Sequence, residues 1–340
     1  MKNPTLKLLT SAVLCGAVFA QPSLADDEHR HGKGYAKFEF ALIGDAPYAP
    51  ADFWKLDNVI DEINANKQLK WVLHAGDIKN GSTLCSDEMF TDRLQRFQRF
   101  NMPFILTPGD NEWTDCHRAN NGSYLPLERL DKLREVFYPV AGLSLGQKSM
   151  RVETQADDSA HAEFVENTRW MEQHVMFAAV HIVGSNNALA PFASRSAADD
   201  DEAARRIAAA QAWIEETFAK AKQEKARGVL LMFQANPGFE LAKGHAGRRG
   251  FEEILAVIER EVVGFAKPVI LAHGDSHYYR VDKPLLGSIS KRRIENATRL
   301  ETFGADDVHW LRVEVDPNSD EVFSVHQEIV NANLEQHPLP

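Results

Sequence analysis

The chain has 340 residues, of which 44% are hydrophobic and 26% are charged, and its formal net charge is -11. These proportions are typical of a globular protein with a large buried core, and they exclude a wholly disordered chain and a fibrous repeat. The acidic balance disfavours general binding to nucleic acid, because negative surface charge repels phosphate backbones. A small phosphorylated molecule stays compatible with this charge, because local cations can override the overall field.

The first 25 residues have the features of a secretory signal peptide. Lysines flank the start of an apolar run at residues 8–20, and Ser23–Ala25 fits a small-x-small cleavage site. The apolar run is too short to span a bilayer comfortably. We therefore expect cleavage near Ala25 and a periplasmic or secreted protein without a membrane segment after cleavage. Cys15 leaves a lipoprotein signal open as an alternative, although the residue before it is larger than a lipobox prefers.

After the predicted cleavage site, short apolar runs alternate with helical patterns. An apolar run bounded by turn residues predicts a strand, and apolar residues spaced by three or four predict a helix with one buried face. The pattern predicts strands at residues 38–44, 71–75 and 103–107 and helices that begin at Pro50 and at Asp87. Strands that alternate with helices are typical of βαβ units and of a mainly parallel sheet.

The rest of the chain mixes both patterns again. Residues 148–181 hold short β-rich runs, and residues 203–226 have the most regular helical pattern, which ends before Gly228. The further predictions are strands at residues 176–184, 228–234, 268–272, 308–315 and 321–325 and a helix at residues 251–261.

The sequence favours one compact α/β domain, because it holds no internal repeat and no low-complexity linker. Its length is also compatible with two domains of ordinary size. A polar and charged stretch precedes the first predicted strand, and such a stretch is typical of a mobile terminus. The predicted organisation is a signal peptide at residues 1–25, a mobile N-terminus at 26–37, a single domain at 38–330 and a tail at 331–340.

The cysteines predict a disulfide. Cys15 belongs to the predicted signal peptide, so Cys85 and Cys116 remain as a pair in an exported protein. Disulfides form and persist in the oxidising compartments that exported proteins reach. Two unpaired thiols are the alternative.

Four apolar runs are each followed by a Gly and an acidic residue. The carboxyl ends of parallel strands meet at one edge of a sheet, and Gly lets the backbone turn sharply there. Carboxylates crowded at that edge repel each other, and a divalent cation relieves the repulsion. A single Gly-Asp pair is a common turn, so the prediction of a metal site rests on the presence of four such segments, each after an apolar run. The four segments are Gly44-Asp45, Gly76-Asp77, Gly109-Asp110-Asn111-Glu112 and Gly274-Asp275-Ser276-His277.

From Phe38 to His277, this order of motifs resembles the calcineurin-like metallophosphoesterase superfamily. Its members have, in chain order, the motifs D-x-H, G-D, G-N-H-(D/E), a His at a strand end, and G-H-x-H. The resemblance implies a four-layer αββα sandwich that holds two metal ions with a bridging Asp between them. It also implies that a metal-bound hydroxide attacks the phosphorus of a phosphoester.

The resemblance assigns metal ligands residue by residue. Asp45 matches the first Asp, Asp77 matches the bridging Asp, Asn111 matches the Asn of the third motif, and His277 matches the last His. These four residues are therefore expected to bind the metal.

Four histidines of the family motifs are replaced. Pro47 stands at the His of D-x-H, and Glu112 stands at the catalytic His, where it is expected to take over the acid–base role. Gln234 falls near the strand-end His, and Asp275 replaces the first His of G-H-x-H, so both are expected ligands. Oxygen ligands in place of nitrogen favour one or two Mn²⁺, Mg²⁺ or Ca²⁺ ions over Zn²⁺ or Fe.

Residues near the motifs offer replacements for the missing groups. His117 and Arg118 directly follow Cys116, so a disulfide to that cysteine would hold them beside the third motif. His117 could then protonate a leaving group, and Arg118 could bind a phosphate. A pair exposed on the surface is the alternative. Tyr48 could supply a phenolic oxygen to the metal or simply pack at the edge of the site.

The sequence therefore predicts an exported metal-dependent phosphoesterase that acts on a small phosphoester. The alternative is a descendant of the same fold that binds a metal or a ligand without hydrolysis. The replaced histidines favour the alternative, and the retained acids favour the enzyme.

Overall fold

The structure is a computed structural model that describes residue 1 and residues 34–334. The predicted signal peptide, most of the predicted mobile N-terminus and residues 335–340 of the predicted tail lie outside the described residues. Within the described part of the chain, no helix is both long and apolar enough to cross a membrane.

The described residues form twelve strands and several longer helices. The strands are β1 (Phe38–Ile43), β2 (Leu69–His74), β3 (Phe104–Leu106), β4 (Glu153–Thr154), β5 (Thr168–Glu172), β6 (Val175–Ala179), β7 (Gly228–Met232), β8 (Val269–His273), β9 (Arg280–Asp282), β10 (Ala297–Glu301), β11 (Trp310–Val315) and β12 (Phe323–Glu328). The longer helices are α1 (Phe53–Ala65), α2 (Asp87–Phe97), α3 (Pro126–Phe137), α4 (Ala197–Gln223) and α5 (Glu252–Phe265). Short 3₁₀ turns lie at Pro50–Asp52, Thr114–His117, Ala119–Asn121, Gln155–Asp157, Ala246–Phe251 and Asn331–Asn333.

The strands form two sheets. The first has the order β12-β11-β1-β2-β3, and the second has the order β4-β5-β6-β7-β8-β10-β9. Neighbouring strands are parallel from β1 to β3 and from β6 through β8 to β10, while the outer strands pair antiparallel. The parallel centre of each sheet brings several strand ends to the same edge.

The two sheets pack face to face through an aromatic core. Phe40 and Trp71 of the first sheet contact Phe177 of the second at ring-centroid distances of 5.5 and 5.1 Å, and Trp71 meets Trp170 edge-on. Burial of each large apolar side chain of this kind contributes about 1.5–3 kcal/mol. Helices α1, α2 and α3 cover the outer face of the first sheet, and α4 and α5 cover that of the second. The predicted four-layer αββα sandwich is therefore confirmed.

Helix α3 and strands β9 and β10 lie outside the elements that the sequence predicts. Helix α3 begins with Pro126 at its first position and follows a loop. Strand β10 contains Arg299 and Glu301, which are buried although both are charged. Arg299 donates to Asp282 at 2.8 Å, and Arg280 of β9 pairs with Glu301, so the antiparallel partner strand neutralises both charges.

The predicted disulfide between Cys85 and Cys116 is present. It joins the loop after β2 to the 3₁₀ turn after β3, and both cysteines are fully buried. Their sulfur atoms lie 3.7 and 3.8 Å from the backbone oxygen of Asn111. The disulfide therefore fastens together the two loops that follow neighbouring parallel strands.

We predict that the chain without residues 1–25 shows no titratable thiol when denatured without reductant and two after reduction. Replacing both Cys85 and Cys116 by Ser should lower the free energy of unfolding by about 3–4 kcal/mol, because the closed loop restricts the unfolded chain. Urea unfolding of the two proteins measures this difference. Two free thiols before reduction would contradict the pairing.

Candidate metal centre

Four acidic loops from both sheets meet at one edge of the sandwich. Asp45 follows β1, Asp77 follows β2 and Asp110 follows β3, and all three belong to the first sheet. Asp275 follows β8 of the second sheet. The first three side chains are almost inaccessible to solvent, so the site is a buried acidic cluster.

Backbone strain and glycine contacts hold these carboxyl groups. Asp45, Asp77 and Asp275 have φ angles of 52°, 55° and 78°, in the left-handed region that costs a residue other than Gly about 1–3 kcal/mol. A Cβ atom at Gly274 would lie 2.0 Å from Asp45 Oδ2, and one at Gly109 would lie 2.1 Å from Asp77 Oδ1. These two glycines are therefore required for the close approach of the backbone to each carboxylate.

One half of the cluster is the Asp45 half-site, formed by Asp45, Asp77 and His277. One candidate ligand atom from each of the three lies within 4.8 Å of the others. The Tyr48 hydroxyl lies 2.5 Å from His277 Nε2 and 3.2 Å from Asp45 Oδ1. Asp45 Oδ2 is buried, and among the described residues no group donates a hydrogen bond to it. This half-site therefore offers oxygen and nitrogen atoms that could bind a metal, and one of its buried oxygens receives no hydrogen bond from the described residues.

The other half is the Asp110 half-site, formed by Asp77, Asp110 and Asp275, whose candidate ligand atoms also lie within 4.8 Å of one another. Gln234 Nε2 donates to Asp77 Oδ2 at 3.1 Å and to Asp110 Oδ1 at 3.2 Å. Gln234 Oε1 accepts from the backbone N–H of Gly184 at 2.7 Å. Asp77 belongs to both half-sites, as its predicted bridging position requires.

Asn111 holds Asp77 from the third loop. Its backbone N–H donates to Asp77 Oδ1 at 3.2 Å and its Nδ2 donates to Asp77 Oδ2 at 2.9 Å. The buried ammonium of Lys79 donates to the backbone oxygen of Asn111 at 2.7 Å. Burial lowers the pKa of Lys79 to about 8, although Glu112 and the nearby aspartates favour its charged form.

A second layer of polar groups lies against Asp110. Ser185 Oγ lies 2.8 Å from both Asp110 Oδ2 and Asp115 Oδ1, and Arg118 donates to Asp115 Oδ2 at 2.8 Å. A hydroxyl has one proton to donate, so Ser185 shares that proton between the two carboxyl groups. Ser185 begins a left-handed turn that runs from residue 185 to residue 188.

Burial dominates the electrostatics of the cluster. It raises the pKa of Asp45, Asp77 and Asp110 well above the ordinary range, and repulsion from neighbouring carboxylates raises it further. Burial also raises the pKa of Glu112 to about 7, and it raises the pKa of Tyr48 so that the phenol stays neutral. A cation in the cluster would reverse the effect on the aspartates, because positive charge favours their ionised form.

The structure brings together all six predicted metal ligands. Asp45, Asp77 and His277 form one half-site, Asp275 belongs to the other, and Asn111 and Gln234 reach Asp77 with their amide N–H groups. Glu112 lies deeper. It is fully buried, and its Oε1 accepts from the backbone N–H of Gly109 at 2.5 Å.

His117 and Arg118 line a cavity of about 200 Å³ together with Asp115, Ser185 and Phe192. His117 Nδ1 donates to the backbone oxygen of Thr114 at 2.8 Å, and its ring stacks on Phe192 with centroids 4.4 Å apart. This cavity adjoins the acidic cluster, because Ser185 contacts Asp110.

Sequence reasoning missed Asp110, Lys79 and Ser185. Asp110 was placed among the four acidic strand ends, but the motif of the resembling family has no acid beside the Asn, so Asp110 was not assigned as a ligand. Asp110 nevertheless completes the second half-site. The position of Lys79 two residues after Asp77 was the only available signal for a buried cation, and Ser185 reaches the site from a distant loop.

The family model of calcineurin-like phosphoesterases matches residues 38–279. The chain belongs to this family. The resemblance inferred from the motif order is confirmed, and the two-sheet α/β architecture agrees with it. No curated protein matches this phosphoesterase-family chain significantly.

Two solved structures are distantly similar to the chain. The GAP50 anchor in the inner membrane complex of Plasmodium is 10% identical, with a TM-score of 0.46, over 86% of this chain and 89% of that chain. A 5'-nucleotidase precursor from Thermus thermophilus is 10% identical, with a TM-score of 0.44, over 86% of this chain. The match spans 54% of the nucleotidase precursor, which is about half of its length.

The calcineurin-like phosphoesterase family is metal-dependent, and the residues at this site fit a divalent cation. The buried Asp45 Oδ2 without a donor is the oxygen that a cation would satisfy. Carboxylate and phenolic oxygens suit hard ions of this kind.

Gly274→Ala should lower the free energy of unfolding by about 1–3 kcal/mol and weaken metal binding, because the new methyl group would push on Asp45. Gly264→Ala is the control. It adds the same group at an exposed position of helix α5, where the nearest side-chain atom would lie 3.5 Å away, and should stabilise the helix by about 0.5–1 kcal/mol. Thermal unfolding and calorimetric metal titration measure both effects. Equal behaviour of the two variants would contradict the close packing at Asp45.

Proposed function

We propose that the chain is an exported, metal-dependent phosphoesterase that hydrolyses a small phosphoester. The observation that supports this most directly is the pair of acidic half-sites that share Asp77 in a chain of the calcineurin-like phosphoesterase family. The Cys85–Cys116 disulfide supports export, because such bonds persist mainly in oxidising compartments. The predicted signal peptide is consistent with the same destination.

Asp45, Asp77 and His277 would hold the cation, and Asn111, Asp275 and Gln234, which the sequence also predicts as ligands, lie beside them. When bound, a divalent cation neutralises phosphoryl charge and lowers the pKa of water. The chain's own residues then bind and orient the ester. The half-exposed guanidinium of Arg118 borders the 200 Å³ cavity and can donate to phosphoryl oxygens while Asp115 fixes its direction.

His117 is proposed to protonate the leaving group. Its Nδ1 is held by the Thr114 carbonyl, so a proton would pass through Nε2, and the stacked Phe192 ring fixes the orientation of the imidazole. Glu112 stays a proposed acid–base residue. It accepts a hydrogen bond from the N–H of Gly109, and Gly109 in turn packs against Asp77.

Asp77→Asn should lower phosphoester hydrolysis by about a hundredfold or more and weaken metal binding, because it removes a full charge from both half-sites while keeping the shape. Asp61→Asn removes an exposed carboxylate of α1 and should change neither property. Hydrolysis of an aryl phosphate and calorimetric metal titration are the two measurements. Full activity in Asp77→Asn would exclude the proposed role.

Glu112→Gln should lower the hydrolysis rate by roughly a hundredfold and leave metal affinity nearly unchanged, because the amide keeps the bond to Gly109 but cannot exchange a proton at neutral pH. The same two assays separate the effects. An equal loss of rate and of metal affinity would instead show that Glu112 supports Asp77 through Gly109.

Mn²⁺ or Mg²⁺ should support faster hydrolysis than Zn²⁺ in the metal-stripped protein, because oxygen donors dominate the site. Rates with each metal added back decide this better than affinities, because Zn²⁺ binds most protein sites more tightly than Mn²⁺. Maximal activity with Zn²⁺ and nitrogen-rich coordination in the absorption spectrum of a cobalt-substituted sample would contradict the ligand assignment.

A binding protein without hydrolysis is the second candidate. One observation favours it, because two amide groups donate to Asp77 Oδ2: Asn111 Nδ2 at 2.9 Å and Gln234 Nε2 at 3.1 Å. Hydrogen bonds therefore compensate much of this charge. Metal binding by the parent protein, without turnover of any phosphoester and without effect of Glu112→Gln, would establish this second function.

A further inference from the structure

The orientation of Gln234 is fixed by a backbone group. The N–H of Gly184 can only donate, so the Gln234 atom at 2.7 Å from it must be the amide oxygen. The amide nitrogen then faces Asp77 Oδ2 and Asp110 Oδ1, which are both acceptors. All three partners agree on this orientation, and Gln234 is completely buried.

An amide nitrogen directed into the Asp110 half-site cannot bind a metal, because it has no lone pair to offer. Turning the amide over would place two donors against each other at Gly184 and would remove the hydrogen bonds to Asp77 and Asp110. Leaving buried polar groups unpaired is unfavourable. The second oxygen of Asp110 is also used, because Ser185 Oγ lies 2.8 Å from it.

The Asp45 half-site differs from this arrangement. Asp45 Oδ2 is buried and receives no hydrogen bond from the described residues, whereas both oxygens of Asp110 are used. His277 provides a ring nitrogen 3.5 Å from Asp45 Oδ1, and the Tyr48 hydroxyl lies between the two groups. Of the four clustered aspartates, Asp45 is therefore the one with a buried oxygen that has no hydrogen-bond donor among the described residues.

We infer that the site takes one divalent cation, at the Asp45 half-site, and that Gln234 fills the place of a second ion by donating to Asp77 and Asp110. This inference rests on the metal dependence in the proposed function. It makes Gln234 a positioning residue that holds two carboxyl groups together. Asp77 then contacts the cation on one side and amide donors on the other.

Equilibrium dialysis of the metal-stripped chain against Mn²⁺ alone, with the bound metal counted by mass spectrometry, tests the inference. One Mn²⁺ per chain is expected. Asp45→Asn should weaken that binding by about tenfold or more, because it removes the charge of the uncompensated carboxylate, while Asp110→Asn should leave one ion bound. Two ions in the parent protein, or loss of the ion in Asp110→Asn alone, would overturn it.

Gln234→Glu gives the sharper test. In this variant, Oε1 of the new carboxylate can keep accepting from the Gly184 N–H. The second carboxylate oxygen takes the place of the amide N–H group that faces Asp77 and Asp110, so the variant should bind two Mn²⁺ ions. Gln234→His offers a neutral ring nitrogen at the same place and should also bind two ions, and it serves if the buried charge of Glu impairs folding. Gln327→Glu adds the same charge at an exposed position and should bind one. One ion in both Gln234 variants, with circular dichroism unchanged, would overturn the role of Gln234.

The experiment separates this inference from the proposed function. Two Mn²⁺ ions bound by an active parent protein would overturn the single-ion site and leave metal-dependent hydrolysis intact. One ion bound by an inactive protein would support the single-ion site while the proposed hydrolysis fails. No bound ion would overturn both.

Discussion

Repulsion among buried carboxyl groups is the constraint on which the rest of this site depends. Asp45, Asp77, Asp110 and Asp275 reach one point from two sheets, with candidate ligand atoms of each half-site within 4.8 Å. Two like charges at 4 Å cost about 4 kcal/mol at an effective dielectric constant of 20. The surrounding amides, hydroxyls and backbone N–H groups offset this repulsion by donating hydrogen bonds to the carboxyl oxygens.

The packing of the two sheets brings the acidic side chains together and fixes their positions. The first three acids follow β1, β2 and β3 of the first sheet, and Asp275 follows β8 of the second. The complete cluster therefore exists only when the aromatic core between the sheets is formed. The disulfide adds a local restraint, because both sulfur atoms touch the carbonyl of Asn111, whose N–H groups hold Asp77. The packing between the two sheets and the disulfide therefore both determine where the four carboxyl groups lie.

Features encoded in short segments could be predicted from the sequence. Each strand end with Gly and Asp was visible in a few residues, and the disulfide followed from two cysteines. Strand β10 was missed because Arg299 and Glu301 are buried only through ion pairs with β9, which a search for apolar runs cannot detect. The direction of the Gln234 amide depends on Gly184, fifty positions away in the chain, so no local pattern specifies it.

Charge balance explains how an acid-rich cluster remains compatible with a single cation. One divalent ion at the proposed position would offset Asp45 and Asp77, while His277 would add a ligand without adding charge. Asp275 accepts from the backbone N–H of Asn236 at 2.7 Å, and Asp110 accepts from an amide and a hydroxyl. Lys79, although its pKa is lowered by burial, provides a positive charge that interacts with Asp77 and Asp110. Neutral donors and one buried ammonium thus act on the side of Asp77 where Gln234 donates, and the proposed cation would be needed only on the other side.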